Sequence, residues 1–111
     1  MIVAQDIYLS IAKEFSETPG PRQVNEGDFS GEKFLKELLL PRFEQARSEK
    51  VALVVDFDGT EGYATSFLES AFGGLTRKYS SAHVLQTIRF KSSDEPFLIE
   101  EVTRYIKEAN R

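Results

Sequence analysis

The stretch from Val51 to Leu75, VALVVDFDGTEGYATSFLESAFGGL, leaves this chain few folds to choose from. Its apolar opening, Val51 to Val55, is rich in β-branched residues and reads as a strand buried on both faces. A loop of small and acidic residues, Asp56 to Thr65, follows, and then a helix carrying Phe67, Leu68, Ala71, Phe72 and Leu75. A central strand, a glycine loop at its carboxyl end and a helix starting there form the usual seat of a site in an open α/β sheet. The rest of the chain reads as the means of burying that unit.

Ahead of it, Ile7, Leu9 and Ile11 alternate with Tyr8, Ser10 and Ala12, predicting a strand over 6–12. Pro19-Gly20-Pro21 forces a turn, and a short return strand is expected near Arg22 to Val24. Ser30 is placed to cap a helix whose apolar stripe is Phe34, Leu35, Leu38 and Leu39, extended by Phe43 and Ala46. Pro41 falls inside that stripe and predicts a kink, or two short helices meeting at Leu40-Pro41. After the central unit, Thr76 to Lys78 bring positive charge to a helix carboxyl end. Val84 to Phe90 reads as a third main strand, with Gln86 breaking its alternation, and His83 at its start has no evident partner. Asp94 then caps a last helix, with Pro96 in its first turn and Leu98, Ile99, Val102, Tyr105, Ile106 and Ala109 on its apolar side. Strands separated by helices pair in parallel. The expected fold is therefore a small α/β domain over 1–111, with a mixed, mainly parallel sheet of about four strands and helices packed on it. The order is β-(β)-α-β-α-β-α.

Composition narrows function by exclusion. The chain has 111 residues, enough for one core, and a net charge of −4 with a pI near 5. Acidity of this kind does not suit a phosphate backbone, so a nucleic-acid partner is not expected. There is no cysteine and only one histidine, which removes disulfides, thiol catalysis, thiolate metal sites and multi-histidine centres. No apolar run approaches the ~20 residues of a membrane span, and the start, MIVAQDIYLS, lacks the form of a signal peptide. A cytoplasmic protein without a membrane partner is the expectation.

Two motifs suggest chemistry. The string LVVDFDGT resembles the first motif of the haloacid dehalogenase-like phosphohydrolases. That resemblance makes Asp56 a nucleophile, Asp58 a general acid and base, and Mg²⁺ the ion bridging them. Residues two apart on a strand point the same way, which suits the pair. The further machinery of such enzymes has no clear seat here: Thr87 falls within the expected third strand, and Lys91 and Asp94-Glu95 crowd into one turn beyond it. The structural reading of the same residues is that Asp58-Gly59 turns the chain as the strand ends. The second motif, Ser66-Phe67-Leu68-Glu69, matches a capping box. Thr65 stands just before it, where unpaired N–H groups and the positive helix end suit a phosphate. Gly73-Gly74 inside a good helix costs about 1 kcal/mol per glycine relative to alanine. Close approach of the helix to the sheet offsets that cost in the structural reading, close approach of a partner in the functional one, and a helix ending at Gly73 is the third option.

Ser30-Gly31-Glu32-x-Phe34, Leu39-Leu40-Pro41, Glu61-Gly62-Tyr63-x-Thr65-Ser66-Phe67-Leu68-Glu69 and Ala71-Phe72-Gly73-Gly74-Leu75 together resemble the bacterial STAS-like family of uncharacterised function. The likeness runs from about Phe15 to Phe90. The wider STAS group includes the anti-sigma factor antagonists, which bind a protein kinase and are switched by phosphorylation at the helix start after the central strand. The resemblance implies a non-enzymatic regulatory module, with a histidine-kinase-like ATPase as partner and no cofactor. The implied partner-binding residues are Gly59, Thr60, Glu61, Gly62, Tyr63, Thr65, Ser66, Glu69, Gly73 and Gly74, with Thr65 or Ser66 phosphorylated. Thr65 takes the antagonists' phosphorylated position, but Ala64 replaces their Asp and Phe67 their Gly. A homodimer is compatible with this reading. The alternatives are the Mg²⁺-dependent phosphohydrolase using Asp56 and Asp58, and a small-molecule or nucleotide sensor with its ligand against Gly59–Gly62.

Overall fold

The computed structural model describes residues 5–20 and 30–109. Within them three strands, β1 (Ile7–Ser10), β2 (Leu53–Asp56) and β3 (Ile88–Lys91), form one parallel sheet in the order β1-β2-β3. The return strand expected near Arg22 to Val24 lies outside the described residues. Leu9, Leu53, Val55 and Ile88 send one face of the sheet into the core, while Tyr8, Arg89 and Lys91 are exposed on the other.

The first strand is shorter than its alternation suggests. Ser10 caps a helical turn, α1 (Ile11–Glu14), its hydroxyl accepting from the Lys13 N–H at 3.2 Å while the Glu14 carboxylate accepts from the Ser10 N–H at 3.1 Å. These local bonds outcompete the strand alternation. They also close the sheet edge. Glu14 pairs with Arg42 at 2.6 Å, and the same guanidinium reaches the outward Tyr8 carbonyl at 3.4 Å. At the other edge, Arg89 covers the Ile88 carbonyl at 3.0 Å. Charged side chains over unpaired edge groups discourage strand addition.

Helix α2 runs through residues 31–49. Ser30 caps it as expected, accepting from the Lys33 N–H at 3.0 Å. Pro41 does not end it, and a change of helical type falls at Leu40, where the junction was expected. The turn just before the proline, Leu35–Leu39, widens to π-helix and the α-helix resumes over Leu40–Glu49. A widened turn relieves the clash between the proline ring and the preceding carbonyls. Helix α3 covers 65–79 and also has a π-helical stretch, Glu69–Gly73. It buries Phe67, Leu68, Ala71, Phe72 and Leu75, all the residues its spacing assigned to the core. Arg77 and Lys78 stand in its last turn.

The third main strand starts at Ile88 and has four residues, because Val84 to Thr87 are helical. Ser80, with φ 111° and ψ 154°, breaks α3, and its hydroxyl accepts from the His83 N–H to start α4 (Ser81–Thr87). His83 is thus in a helix, its Nδ1 beside the Ser80 hydroxyl at 3.0 Å and the Tyr79 carbonyl at 3.1 Å. Gln86, the residue that spoiled the strand pattern, is exposed on α4. The last helix, α5 (Phe97–Ala109), buries Leu98, Val102, Tyr105 and Ile106. Asp94 does not cap it; its carboxylate serves a different loop.

Gly31 and Gly74 mark where α2 and α3 touch. A Cβ at Gly31 would lie 2.5 Å from the Phe67 carbonyl oxygen, and one at Gly74 would lie 2.7 Å from a Leu35 methyl. The close approach that excuses these residues is therefore helix to helix, a correction to the helix-to-sheet contact expected for Gly74. The helix continues through Gly73, where a Cβ would meet the Glu69 carboxylate and the Arg77 guanidinium.

Candidate functional site

The candidate site is the loop leaving β2 together with the start of α3. Asp56, the last residue of β2, is 7% exposed. It accepts hydrogen bonds from the Tyr8 hydroxyl and from the Asp58 N–H at 2.9 Å, and Lys91 lies 3.6 Å away. The bond to Asp56 and the burial that goes with it push the Tyr8 phenol up.

Asp58 is oriented by the loop after β3. Its Oδ1 accepts from the Ser93 N–H at 2.7 Å and the Asp94 N–H at 2.9 Å, and its Oδ2 faces Lys91 at 3.5 Å. The Asp94 and Ser93 N–H groups, with the Lys91 charge, hold the carboxyl below its ordinary value. In return the Asp94 carboxylate accepts from the Gly59 N–H at 3.1 Å. Asp56 first, then Tyr8 and Asp58, raise the Lys91 ammonium. Two loops that the chain separates by more than thirty residues are thus laced together by reciprocal side-chain to backbone bonds. Among the described residues no group of three or more acidic or histidine side chains is arranged to hold a metal ion.

Beyond the lacing the loop has two further anchors. The Glu61 N–H donates to the Glu17 carbonyl at 2.8 Å. The Tyr63 hydroxyl donates to the Phe57 carbonyl at 2.7 Å, with its ring edge-on to Phe57; burial pushes this phenol up, against the Thr60 hydroxyl bonded to it. Gly59 has φ 94°, a left-handed conformation that glycine adopts without strain, and it packs close to Ala12. Gly62, with φ 147°, has open space where a side chain would be. Glu61 and Gly59 are exposed, and Thr60 and Gly62 partly so.

Helix α3 begins at Thr65, not at Ser66. Ala64 is the N-cap in extended conformation, with no side-chain cap, and its carbonyl accepts from Phe67 and Leu68. Ser66 is then two residues past the cap position, and Glu69 turns to Arg77 at 2.8 Å. The capping box does not form. Thr65 is exposed at the first helical position, beside the phenol of Tyr105, which donates to Glu101 at 2.6 Å. Burial is the main cause of that phenol's raised pKa.

The structure brings Gly59 to Ser66 together on one end of the sheet and leaves Glu69, Gly73 and Gly74 further along α3, with Gly73 buried and Gly74 turned to α2. It adds Tyr8, Ser93 and Tyr105, which spacing did not reveal, and gives Lys91 and Asp94 their partners. Lys91 ends β3 rather than lying in the turn beyond it, and that register sets it beside both aspartates. Thr87, weighed as part of a phosphohydrolase centre, closes α4 at the opposite end of β3. The only advance signal for the partnership was the recurrence of acidic and small residues after both later strands.

In comparison with known families, the model of a STAS-like domain of unknown function matches residues 30–97. That range runs from the cap of α2 to the first residue of α5 and includes the loop after β2, the start of α3 and the loop after β3, while Tyr8 and Tyr105 lie outside it. No curated protein and no solved structure matches.

Proposed function

This chain belongs to the family of STAS-like domains of unknown function, and from that premise we propose that it is a non-enzymatic regulatory module of a bacterial signalling system, docking a partner protein through the Gly59–Ser66 loop and the start of α3. The observation that carries this reading is the engagement of both aspartates. Asp58 is tied to two backbone N–H groups and Asp56 to Tyr8 and to its own loop. Carboxylates arranged in this way shape a surface, and what they present is an exposed loop and an exposed threonine at a helix start. The partner that suits the resemblance is a histidine-kinase-like ATPase in the cytoplasm, with Thr65 as the hydroxyl it would phosphorylate. Ser66 is half-buried and is the second choice.

The test pairs the protein with a histidine-kinase-like ATPase from the same source. Binding by calorimetry, weakened in Thr60→Arg and Glu61→Arg, is the expected result. A gain of one phosphate in intact mass on adding ATP, absent in Thr65→Ala, is expected for the switch. Turnover of a phosphate ester with Mg²⁺, lost in Asp56→Asn, would establish the phosphohydrolase instead.

A further inference from the structure

At the other end of the sheet, where the strands begin, lies a cavity of about 660 Å³ lined by Asp6, Arg47, Lys50, Gln86, Thr87 and Arg89 among others. The chain as a whole carries four more acidic than basic residues, yet this cavity gathers three cations against one carboxylate. Asp6 is engaged with the Ala52 N–H at 3.0 Å. The Arg47 guanidinium lies over the rings of Phe43 and Tyr79, at 5.8 and 5.5 Å, so its partners are aromatic and uncharged. Lys50 sits in the left-handed residue that ends α2, with φ 59°, and among the described residues its ammonium has neither an ion pair nor a hydrogen bond. Arg89 is held by the carbonyls of Leu85, Gln86 and Ile88 at 3.0 to 3.3 Å, which fix its position without cancelling its charge.

Helix ends account for part of this. Helices α2 and α4 both finish here, and each carboxyl end carries about half a negative charge. Together with Asp6 they balance roughly two of the three cations, on the same dipole figure, and an excess remains. The volume falls within the ~300–1,000 Å³ that small ligands occupy. Guanidinium forks suit oxyanions, and Gln86 and Thr87 add neutral donors on the same wall.

We propose that this cavity binds a small multivalent oxyanion, of a size between pyrophosphate and a nucleoside triphosphate. The site is separate from the docking loop and independent of that loop's role, so either assignment stands without the other. The experiment is a ¹⁵N–¹H NMR titration of the full chain at low ionic strength with pyrophosphate, ATP and citrate. Saturable shifts centred on Lys50–Ala52 and Gln86–Arg89 are expected, and the tightest of the three probes identifies phosphate or carboxylate as the preferred group. Lys50→Glu should weaken binding about tenfold, while Lys13→Glu, an equal charge change on α1 at the carboxyl end of the sheet, should alter it less than about twofold. Arg47→Gln serves as the second variant if Lys50→Glu does not fold. No saturable shift with any probe, or equal weakening by Lys50→Glu and Lys13→Glu, would overturn the proposal.

Discussion

Asp58 accepts two backbone N–H bonds and faces a lysine, which makes its ionised form part of the folded state. Its folded pKa lies below its unfolded value of ~3.9. Its contribution to stability is therefore present above that value and is lost as pH falls through the folded pKa. Lys91 works in the opposite sense, since its pKa is raised: its contribution holds below ~10.4 and disappears as pH rises through the folded value. Urea midpoints measured from about pH 2 to pH 7 should fall on the acid side, and less steeply in Asp58→Asn, which can still accept a hydrogen bond but does not titrate. An unchanged acid limb in that variant would show that the carboxylate does not hold the two loops. Such a residue is also where local reading goes astray. Asp-x-Asp-Gly is the same string in a reaction centre and in a turn, and only the partners of the carboxylates separate the two.

Helices α2 and α3 define the element scale, because two of their glycines set the distance between them. Alanine at a helical glycine gains about 1 kcal/mol from propensity, but forcing atoms into a packed contact costs about 1–3 kcal/mol. At Gly31 the obstacle is a backbone carbonyl, which cannot rotate away. At Gly74 it is the end of a leucine side chain, which can. Gly31→Ala should thus be destabilised by about 1–2 kcal/mol, and Gly74→Ala should be close to neutral, as read by chemical denaturation. Equal effects would mean that the two helices do not approach as described. Helical spacing placed the buried residues of α2, α3 and α5 correctly. It missed α4, where Ser80 caps a seven-residue helix in a segment whose Val84, Ile88 and Phe90 also fit a strand.

The described residues share one core, and Phe72 is at its centre. Its ring meets those of Phe34, Phe57 and Phe90, from α2, the β2 loop and β3, at centroid distances of 5.8 to 6.3 Å. Phe72→Ala should cost about 3–5 kcal/mol, a large part of the roughly 5–15 kcal/mol typical of a domain. It should lower the melting transition seen by tryptophan-free probes such as far-ultraviolet dichroism and aromatic amide signals together. Charge is divided along the same axis that the strands define. Asp56, Asp58 and Glu61 lie at the carboxyl ends of the sheet, and Arg47, Lys50 and Arg89 at the amino ends. No helix among the described residues is long and apolar enough to cross a membrane.

The periodicity of apolar residues was sufficient to determine the α/β class, the parallel central strand, the three long helices and nearly all of their buried positions, because burial on a strand or a helix repeats at a fixed interval. The glycines of the loop and the cap at Ser30 were also legible, since their causes lie within a few residues. What Asp56, Asp58, Lys91 and Asp94 do was decided only when β2 and β3 paired in register. The cation-lined cavity likewise exists only because three separate strand starts meet at one end. Contacts between residues far apart in the chain leave no local period, so the tertiary structure alone assigns them.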